Sequence, residues 1–184
     1  MRIVGGEFRG RRIAEPSDNS TRPTSDRVRE AMFNVLSHSR VVDLVGVRVI
    51  DLFAGTGAMG LEALSRGARF ALFVDNAPAA RGLLRTNVDA LDLAGRTKVW
   101  RRDATALGDA TLAPFEIAFA DPPYGRGLGE RAAASLIAGG WLAPDAVLVL
   151  EEEAGHLPAA LAGFEALDRR AFGRTAVGVF RRQV

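Results

Sequence analysis

The chain has 184 residues, which suits one domain, and 48% of them are apolar, which is enough for a core and excludes wholesale disorder. It has no cysteine and two histidines, His38 and His156, so disulfides, thiolate zinc sites and a cysteine nucleophile are excluded and a transition-metal enzyme is not expected. The net charge of +2 is uneven: residues 1–40 carry +3, residues 41–168 carry −6 and residues 169–184 carry +5. Basic ends that meet in space would bind a polyanion, although they could also be merely solvated.

Neither a membrane span nor a signal peptide is expected. The longest nearly uncharged run, Ala132 to Pro144, is too short for a span and contains Gly139 and Gly140. The first residues, MRIVGGEFRGRRI, carry charges where a signal peptide needs an apolar stretch. These features predict a soluble, cytoplasmic protein.

The N-terminal residues predict a short β-hairpin over residues 2–14, broken at Gly5-Gly6, and then a helix. The helix is expected to begin at Ser25 or Asp26, since either residue can cap it. Its apolar residues have helical spacing: Val28, Ala31, Met32, Val35 and Leu36. Arg27 lies beside this apolar stripe, and Arg29 lies away from it.

Strand-like and helix-like runs alternate from residue 47. Strands are expected at Val47–Phe53, Phe70–Asp75, Lys98–Arg102, Ile117–Asp121 and Ala146–Glu151. Helices are expected at Ala58–Arg66, Pro78–Leu91 and Gly129–Ala138. Two final strands, antiparallel to each other, are expected at Phe164–Phe172 and Thr175–Arg182. The alternation predicts an α/β fold with a parallel sheet covered on both faces.

A glycine-rich loop follows the first expected strand, with Gly55, Gly57 and Gly60 in a G-x-G-x-x-G spacing. Glycines let the chain turn tightly and let a ligand approach the backbone, as in sites for NAD and other adenosine-containing cofactors. Asp51 favours S-adenosylmethionine, because a carboxylate would repel a pyrophosphate but attract an ammonium and a sulfonium. The alternative is that Asp51 is buried and accepts hydrogen bonds from loop amides.

Two further aspartates end the next two strands. Asp75 suits a carboxylate that accepts hydrogen bonds from both ribose hydroxyls, and Asp103 could accept one from the adenine amino group. Each alone could be an ordinary residue at a strand end. Together with Asp51 they lie on one edge of the expected sheet, which predicts an adenosine site there.

The fourth strand runs into Asp121-Pro122-Pro123-Tyr124. Two prolines make a stiff corner with few amide hydrogens. Such a corner suits methyl transfer to an exocyclic amine, because the Asp121 carboxylate and the Pro122 carbonyl can accept its two N–H bonds from fixed positions. Tyr124, the single tyrosine, can stack on the base. The alternative is a rigid turn with a packing tyrosine.

Together these motifs resemble those of class I S-adenosylmethionine-dependent methyltransferases that modify amines. The segments MRIVGGEFRGRRI, TRPTSDRVREAMFNVL and FGRTAVGVFRR are similar to the RsmD family, whose members methylate N2 of a guanine in 16S ribosomal RNA. The similarity covers nearly the whole chain and is weakest at Leu107–Pro114. It implies a Rossmann-like fold with a mostly parallel seven-stranded sheet and a C-terminal antiparallel hairpin. An extension of residues 1–40, with a β-hairpin and a helix, would precede a methyltransferase domain of residues 41–184.

The resemblance also implies roles for individual residues. The cofactor would be held by Asp51, Phe53, Gly55, Gly57, Asp75, Asn76, Asp103, Ala104 and Thr24. The target amine would be held by Asp121, Pro122, Pro123 and Tyr124. RNA contacts are expected from Arg22 and Arg27, in the segment most specific to the family, and from three arginines that the predicted hairpin can present as a row, Arg9, Arg11 and Arg12. Some assignments keep alternatives: Arg22, Thr24 and Arg27 could close over the cofactor, contact RNA or begin the helix, and the hairpin arginines could be a solvated edge that discourages strand pairing.

The expected reaction is direct attack of the guanine N2 on the sulfonium methyl group, without a covalent enzyme intermediate or a strong base. The expected substrate is 16S ribosomal RNA within the small subunit or an assembly intermediate, and the expected state is a monomer. Four alternatives stay open. These are a DNA adenine-N6 methyltransferase, a protein-glutamine methyltransferase, a noncatalytic RNA-binding protein with a relict pocket and, least favoured, an NAD-linked oxidoreductase. The role of Glu151 to Glu153 is also open.

Overall fold

The computed structural model of the protein describes residues 1–16, 26–38 and 41–183. Arg22, Thr24 and Ser25, which the sequence predictions use, lie outside the described residues. The helices and strands are α1 (Asp26–His38), β1 (Arg48–Leu52), α2 (Ala58–Ser65), β2 (Phe70–Val74), α3 (Pro78–Ala90), β3 (Thr97–Trp100), β4 (Phe115–Ala120), α4 (Leu128–Ala138), β5 (Leu142–Glu153), β6 (Phe164–Phe172) and β7 (Thr175–Arg182). None of the helices in these ranges is both long and apolar enough to cross a bilayer.

The described strands form one seven-stranded sheet in the order β3-β2-β1-β4-β5-β7-β6. Neighbouring strands are parallel except around β7, which runs antiparallel to both β5 and β6. The predicted α/β Rossmann-like fold and its C-terminal antiparallel hairpin are therefore confirmed. The central strands are buried on both sides, which explains why β1 and β4 read as continuous apolar runs in the sequence.

Strand β5 begins earlier than predicted, at Leu142 rather than at Ala146. Leu142 pairs with Phe115, and the register then shifts before Ile117 of β4 pairs with Val147. Asp145 lies within this irregularity with a φ of 59°. A bulge of this kind breaks the alternation of side chains, so a pattern-based prediction starts the strand after it.

Two hydrophobic clusters cover the two faces of the sheet. Helices α1, α2 and α3 pack on one face, and α4 packs on the other. The N-terminal hairpin joins the first cluster through Ile3 and Ile13, which are 1% and 4% exposed. The hairpin has a single antiparallel bridge, Arg2 to Arg12, rather than two regular strands, because residues 5–10 are occupied by turns.

The buried face of α1 differs from the predicted stripe. Arg29, Met32, Phe33 and Leu36 are each at most 4% exposed, whereas Val28 is half-buried. Phe33 belongs to the buried face because its ring packs on a phenylalanine of β4, with the ring centroids 5.5 Å apart. The expectation that Arg29 lies away from the buried side is wrong. Its guanidinium is fully buried because it lies between two carboxylates, those of Asp26 in α1 and Glu62 in α2.

Candidate active site

The carboxyl ends of three neighbouring strands lie at the same level of the sheet. Leu52 at the end of β1 pairs with Val74 at the end of β2 and with Ala120 at the end of β4. The loops after these strands therefore leave the sheet side by side. The chain proceeds from β1 to β2 on one side while β4 lies on the other, and such a switch point forms the ligand crevice of open parallel sheets.

The glycine loop connects β1 to α2 at this crevice. Gly57 caps α2 with a φ of 79°, and a Cβ on it would lie 2.1 Å from Cδ1 of Leu84. Glycine is favoured there, because the left-handed φ strains other residues and a Cβ would require Leu84 to move. Gly55 has a φ of 55°, and a Cβ on it would meet only the carbonyl oxygen of Phe53, at 3.9 Å, so there is open space beside it. Phe53 itself has a φ of 56°, a strained conformation of the kind that clusters at functional sites.

Asp51 is 3% exposed, and its Oδ2 accepts a hydrogen bond of 2.9 Å from the backbone N–H of Gly60. Burial raises the pKa of Asp51 to about 8, while the bond from Gly60 opposes the rise and the charge of Asp75 adds to it. Asp51 is thus buried and accepts a hydrogen bond from a backbone amide near the glycine loop, as the alternative interpretation of this residue expected. The bond also occupies an N–H at the start of α2 that a pyrophosphate would need, which disfavours a dinucleotide site.

Asp75 and Asp103 lie at the same edge of the sheet, after β2 and β3, and each organises a loop. Asp75 accepts hydrogen bonds from the backbone N–H groups of Gly55, at 2.9 Å, and Ala77, at 2.8 Å. Asp103 accepts two from Thr105, from its N–H at 2.8 Å and its hydroxyl at 2.7 Å. These bonds lower the pKa of Asp103. The structure thus joins Asp75 directly to the glycine loop.

The side chains at this edge fit a cationic cofactor without phosphate. No described cation lies within ion-pair distance of Asp51, Asp75 or Asp103. Asn76 is exposed beside Asp75, and Ala104 is 4% exposed beside Asp103. Across the described ranges, no group of three or more histidine, aspartate and glutamate side chains is placed to hold a metal ion.

The Asp-Pro-Pro-Tyr corner (residues 121–124) follows β4 on the other side of β1 from Asp75. Asp121 and Tyr124 are half-buried, Pro122 is buried and Pro123 is exposed. The corner and the glycine loop are therefore brought to adjacent strand ends. The shape of the space between them depends on the position of the Tyr124 ring, and hydrogen bonds to the Tyr124 hydroxyl fix that position.

The hydroxyl of Tyr124 donates a hydrogen bond of 2.7 Å to Oε1 of Glu151 and lies 3.3 Å from Oγ1 of Thr175. Burial, with the charges of Glu151 and Asp121, raises the pKa of Tyr124, so its hydroxyl keeps its proton. Beyond the corner, the N–H of Gly125 donates a bond of 3.0 Å to Oε1 of Glu152. The end of β5 therefore holds the corner in place.

Glu151 and Glu152 are residues that the sequence analysis left without a role. They are 3% and 2% exposed, although they are charged. The one available signal was a run of three acidic residues where a buried strand would otherwise be apolar. Their partners, Tyr124 and Gly125, are 27 residues away in the chain and could not be read from the run itself.

The N-terminal extension is attached to both helices that flank the glycine loop. Asn87 of α3 is 1% exposed. Its Oδ1 accepts a hydrogen bond of 2.7 Å from the N–H of Ala14, and its Nδ2 donates one of 3.1 Å to the carbonyl of Ala14. The same Nδ2 also donates a bond of 2.9 Å to the carbonyl of Thr56 in the glycine loop. In α2, Oε2 of Glu62 accepts a bond of 2.8 Å from the N–H of Val4. These contacts were not predicted.

The arginines assigned to RNA are only partly described. Arg9, Arg12 and Arg27 are exposed, and Arg11 is exposed but donates a hydrogen bond of 2.6 Å to the carbonyl of Ala90. Arg22, and Thr24 from the cofactor set, lie outside the described residues. Arg9, Arg11 and Arg12 lie on the hairpin beside α2 and α3, not at the Asp-Pro-Pro-Tyr corner.

Comparison with known proteins shows which family the chain resembles. The family model described as "Conserved hypothetical protein 95" matches residues 1–181. The Escherichia coli (strain K12) protein named "Ribosomal RNA small subunit methyltransferase D" is 36% identical over 184 residues, which cover 100% of this chain and 90% of that protein. The Bacillus subtilis protein YlbH is 30% identical over 187 residues, which cover 100% of both chains.

A solved structure supports the same relationship. The Escherichia coli protein yhhF superposes with a TM-score of 0.83 at 36% identity, covering 100% of this chain and 98% of that chain. The resemblance drawn from the sequence motifs is confirmed, and so is the prediction of an enzyme. This chain belongs to the family described as "Conserved hypothetical protein 95", the RsmD family of class I methyltransferases.

Proposed function

We propose that the protein transfers a methyl group from S-adenosylmethionine to the exocyclic N2 amine of a guanine in 16S ribosomal RNA. The observation that carries the proposal is the placement of the glycine loop and the Asp-Pro-Pro-Tyr corner at the level ends of adjacent strands β1 and β4. In a direct transfer the methyl group of the cofactor must touch the amine that receives it, so the cofactor site and the amine site must flank one crevice. The name of the Escherichia coli relative, a small-subunit ribosomal RNA methyltransferase, supports the choice of RNA.

The cofactor set comprises Asp51, Phe53, Gly55, Gly57, Asp75, Asn76, Asp103, Ala104 and, in the undescribed segment, Thr24. S-adenosylmethionine, when bound, supplies the methyl group on a positively charged sulfur. Asp75 accepts two backbone hydrogen bonds, and an ionised carboxylate offers about four lone-pair sites, so it retains capacity for ribose hydroxyls. Asp51 lies beside the glycine loop, where the ammonium of the cofactor would favour its ionised form over the protonated form that its raised pKa favours in the free protein.

The amine set comprises Asp121, Pro122, Pro123 and Tyr124. A guanine amine is a weak nucleophile because its lone pair is delocalised into the ring. The Asp121 carboxylate and the Pro122 carbonyl accept its two N–H bonds and localise that lone pair, and the prolines fix both acceptors in advance. The ring of Tyr124 stacks on the base. After methylation the nitrogen is acidic, and Asp121 is placed to receive its proton.

The remaining assignments concern the RNA and the setting. Arg9, Arg11, Arg12, Arg22 and Arg27 contact phosphates. Residues 1–40 act as an extension and residues 41–184 as the methyltransferase domain. The substrate is the small ribosomal subunit or an assembly intermediate, which places the protein in the cytoplasm. The protein acts as a monomer, without a metal ion and away from membranes.

The test is methyl transfer from labelled S-adenosylmethionine to small subunits, to naked 16S RNA and to DNA, with both RNA substrates lacking this modification. We expect label on RNA and none on DNA, and the better of the two RNA substrates identifies the physiological form. Label on DNA adenine would contradict the proposal and favour the adenine-N6 alternative. Cofactor binding without transfer to any of the three would favour the noncatalytic alternative.

A further inference from the structure

Three loops that lie next to one another at the Asp-Pro-Pro-Tyr corner each carry a basic side chain to which no role was assigned. Arg126 follows the corner by two residues, His156 lies in the turn after β5, and Arg174 lies in the turn between β6 and β7. The His156 and Arg174 side chains are 56% and 77% exposed, and Arg126 is exposed as well. We name Arg126, His156 and Arg174 the basic rim.

The basic rim is joined to the corner by a chain of contacts. The imidazole of His156 lies 3.9 Å from the position that a Cβ on Gly125 would occupy. Glu153 then links the other two loops, because its Oε2 lies 3.2 Å from Nδ1 of His156 and its Oε1 lies 3.2 Å from Nη2 of Arg174. Because β7 runs antiparallel to β5, Glu153 pairs with Thr175, and the turn that carries Arg174 lies at the same edge of the sheet as the Asp-Pro-Pro-Tyr corner.

Arg126 is exposed to solvent. Gly125 and Gly127 on either side of it have φ values of 71° and 62°, conformations that glycine adopts without strain. In the described part of the chain Arg126 forms no hydrogen bond or ion pair. Its guanidinium therefore carries a charge that no described residue neutralises.

The nearby acidic groups leave the rim able to bind an anion. Glu153 is 33% exposed and shares its single charge between His156 and Arg174, and Glu130 lies near Gly127. Exposed ion pairs contribute little, between about 0 and 1 kcal/mol, so a phosphate can replace Glu153 as the partner of Arg174 at small cost. Glu151 and Glu152 are buried and already bonded within the corner.

We propose that the basic rim binds the phosphates of single-stranded RNA that flank the target nucleotide. The inference rests on the proposed function, because it uses Tyr124 as the platform for the base. A base is covalently attached to its own backbone, so a base stacked on Tyr124 brings its flanking phosphates to the loops around the corner. Arginine suits this role, since its planar guanidinium pairs with phosphate oxygens in a bidentate manner.

The experiment compares Arg126→Ala/Arg174→Ala with Arg69→Ala. Arg69 is an exposed arginine just before β2, at the opposite edge of the sheet, so its replacement removes one arginine charge far from the corner, against two in the double variant. Affinity for unmodified 16S RNA is measured over a range of salt concentrations, and cofactor affinity is measured separately. We expect the double variant to bind RNA about tenfold more weakly, and its salt slope to fall by about 0.7 for each lost phosphate contact. Cofactor affinity should be retained, and Arg69→Ala should behave as the wild type.

The outcomes separate this inference from the proposed function. Wild-type RNA affinity and salt slope in the double variant would overturn the basic rim, as would an equal loss in Arg69→Ala or no RNA binding by the wild type. If the wild type methylates the RNA while the double variant is unaffected, the rim is wrong and the proposed function stands. If RNA binding depends on Arg126 and Arg174 but no methyl group is transferred, the proposed function is wrong and the rim stands.

Discussion

The hydroxyl of Tyr124 is bonded at 2.7 Å to Glu151, a carboxylate that is buried at the end of β5. The bond ties the loop after β4 to strand β5 and fixes the ring of Tyr124, so a base that stacks there under the proposed function would meet a ring already in place. A preformed stacking surface avoids part of the ordering cost of binding. Because the raised pKa of Tyr124 keeps the hydroxyl protonated, we assign this bond to positioning rather than to proton transfer.

Tyr124→Phe tests this positioning role, because it keeps the ring and removes the bond. We expect a single-turnover methylation rate about tenfold lower, with unchanged cofactor affinity, and an unfolding free energy lower by about 1–3 kcal/mol because Glu151 loses a donor. Glu151→Gln keeps an acceptor for the hydroxyl and should retain more activity than Glu151→Ala. Equal rates in Glu151→Gln, Glu151→Ala and the wild type would show that the bond does not position the ring.

Asp121 and Asp75 should respond to substitution in opposite ways, since one is assigned to the amine and the other to the cofactor. In Asp121→Ala we expect the single-turnover rate to fall by about 10²–10³, with cofactor affinity retained. In Asp75→Ala we expect the cofactor affinity to fall by about tenfold or more, with most of the rate recovered at saturating cofactor. Equilibrium binding and single-turnover kinetics on both variants provide the check. A loss of cofactor affinity alone in Asp121→Ala would remove Asp121 from the amine set.

Asp51 should make the stability of the cofactor-free protein depend on pH. Its pKa is about 8 in the folded protein and about 3.9 in an unfolded chain, so the folded state binds the proton more tightly between these values. The resulting stabilisation is complete below pH about 4 and is lost as the pH rises to about 8. The wild type should therefore lose about 1.4 kcal/mol per pH unit relative to Asp51→Asn in this window, as measured by denaturant unfolding. A constant difference between the two proteins would contradict the raised pKa.

The fully buried carboxylate of Glu62 should be required for stability. It lies 2.7 Å from Nε of Arg66 and 3.6 Å from Nε of the buried Arg29, and it also accepts from the N–H of Val4. Glu62→Ala leaves Arg66 without its anion, the buried Arg29 with Asp26 alone and the Val4 N–H without its acceptor, so we expect the unfolding free energy to fall by about 3–5 kcal/mol. Glu30→Ala, on the exposed side of α1, is the control and should stay within about 0.5 kcal/mol of the wild type. Similar values for both variants would mean that the buried charges do not anchor the extension.

The sequence predicted the elements whose signals are local. The hairpin of β6 and β7 has the predicted bounds because Gly173 supplies the left-handed turn, with a φ of 65°, between two strand-like runs. The convergence of Asp51, Asp75 and Asp121 was predictable as well, because parallel strands end on one edge of a sheet. These inferences need only the order of the strands along the chain.

The contacts that could not be predicted join residues far apart in the sequence. From its sequence position alone, Arg29 is predicted to face solvent. It is buried because Glu62, in another helix, lies beside it. From its sequence position alone, Glu151 is an acidic residue at the end of a strand. Its partner is the hydroxyl of Tyr124, which is 27 residues away in the chain. Burial of a charged side chain depends on its partner, and a pattern of apolar residues does not identify that partner.

The account rests most directly on which atom receives the methyl group. Small subunits that lack the modification should be incubated with the protein and S-adenosylmethionine, and their 16S RNA digested to nucleosides for mass spectrometry, with Asp121→Ala as the matched control. The account predicts N2-methylguanosine from the wild type and a strongly reduced amount from Asp121→Ala. A methyl group on adenine, on a ribose hydroxyl or on a different atom of guanine would contradict the assignment of the Asp-Pro-Pro-Tyr corner to the guanine amine.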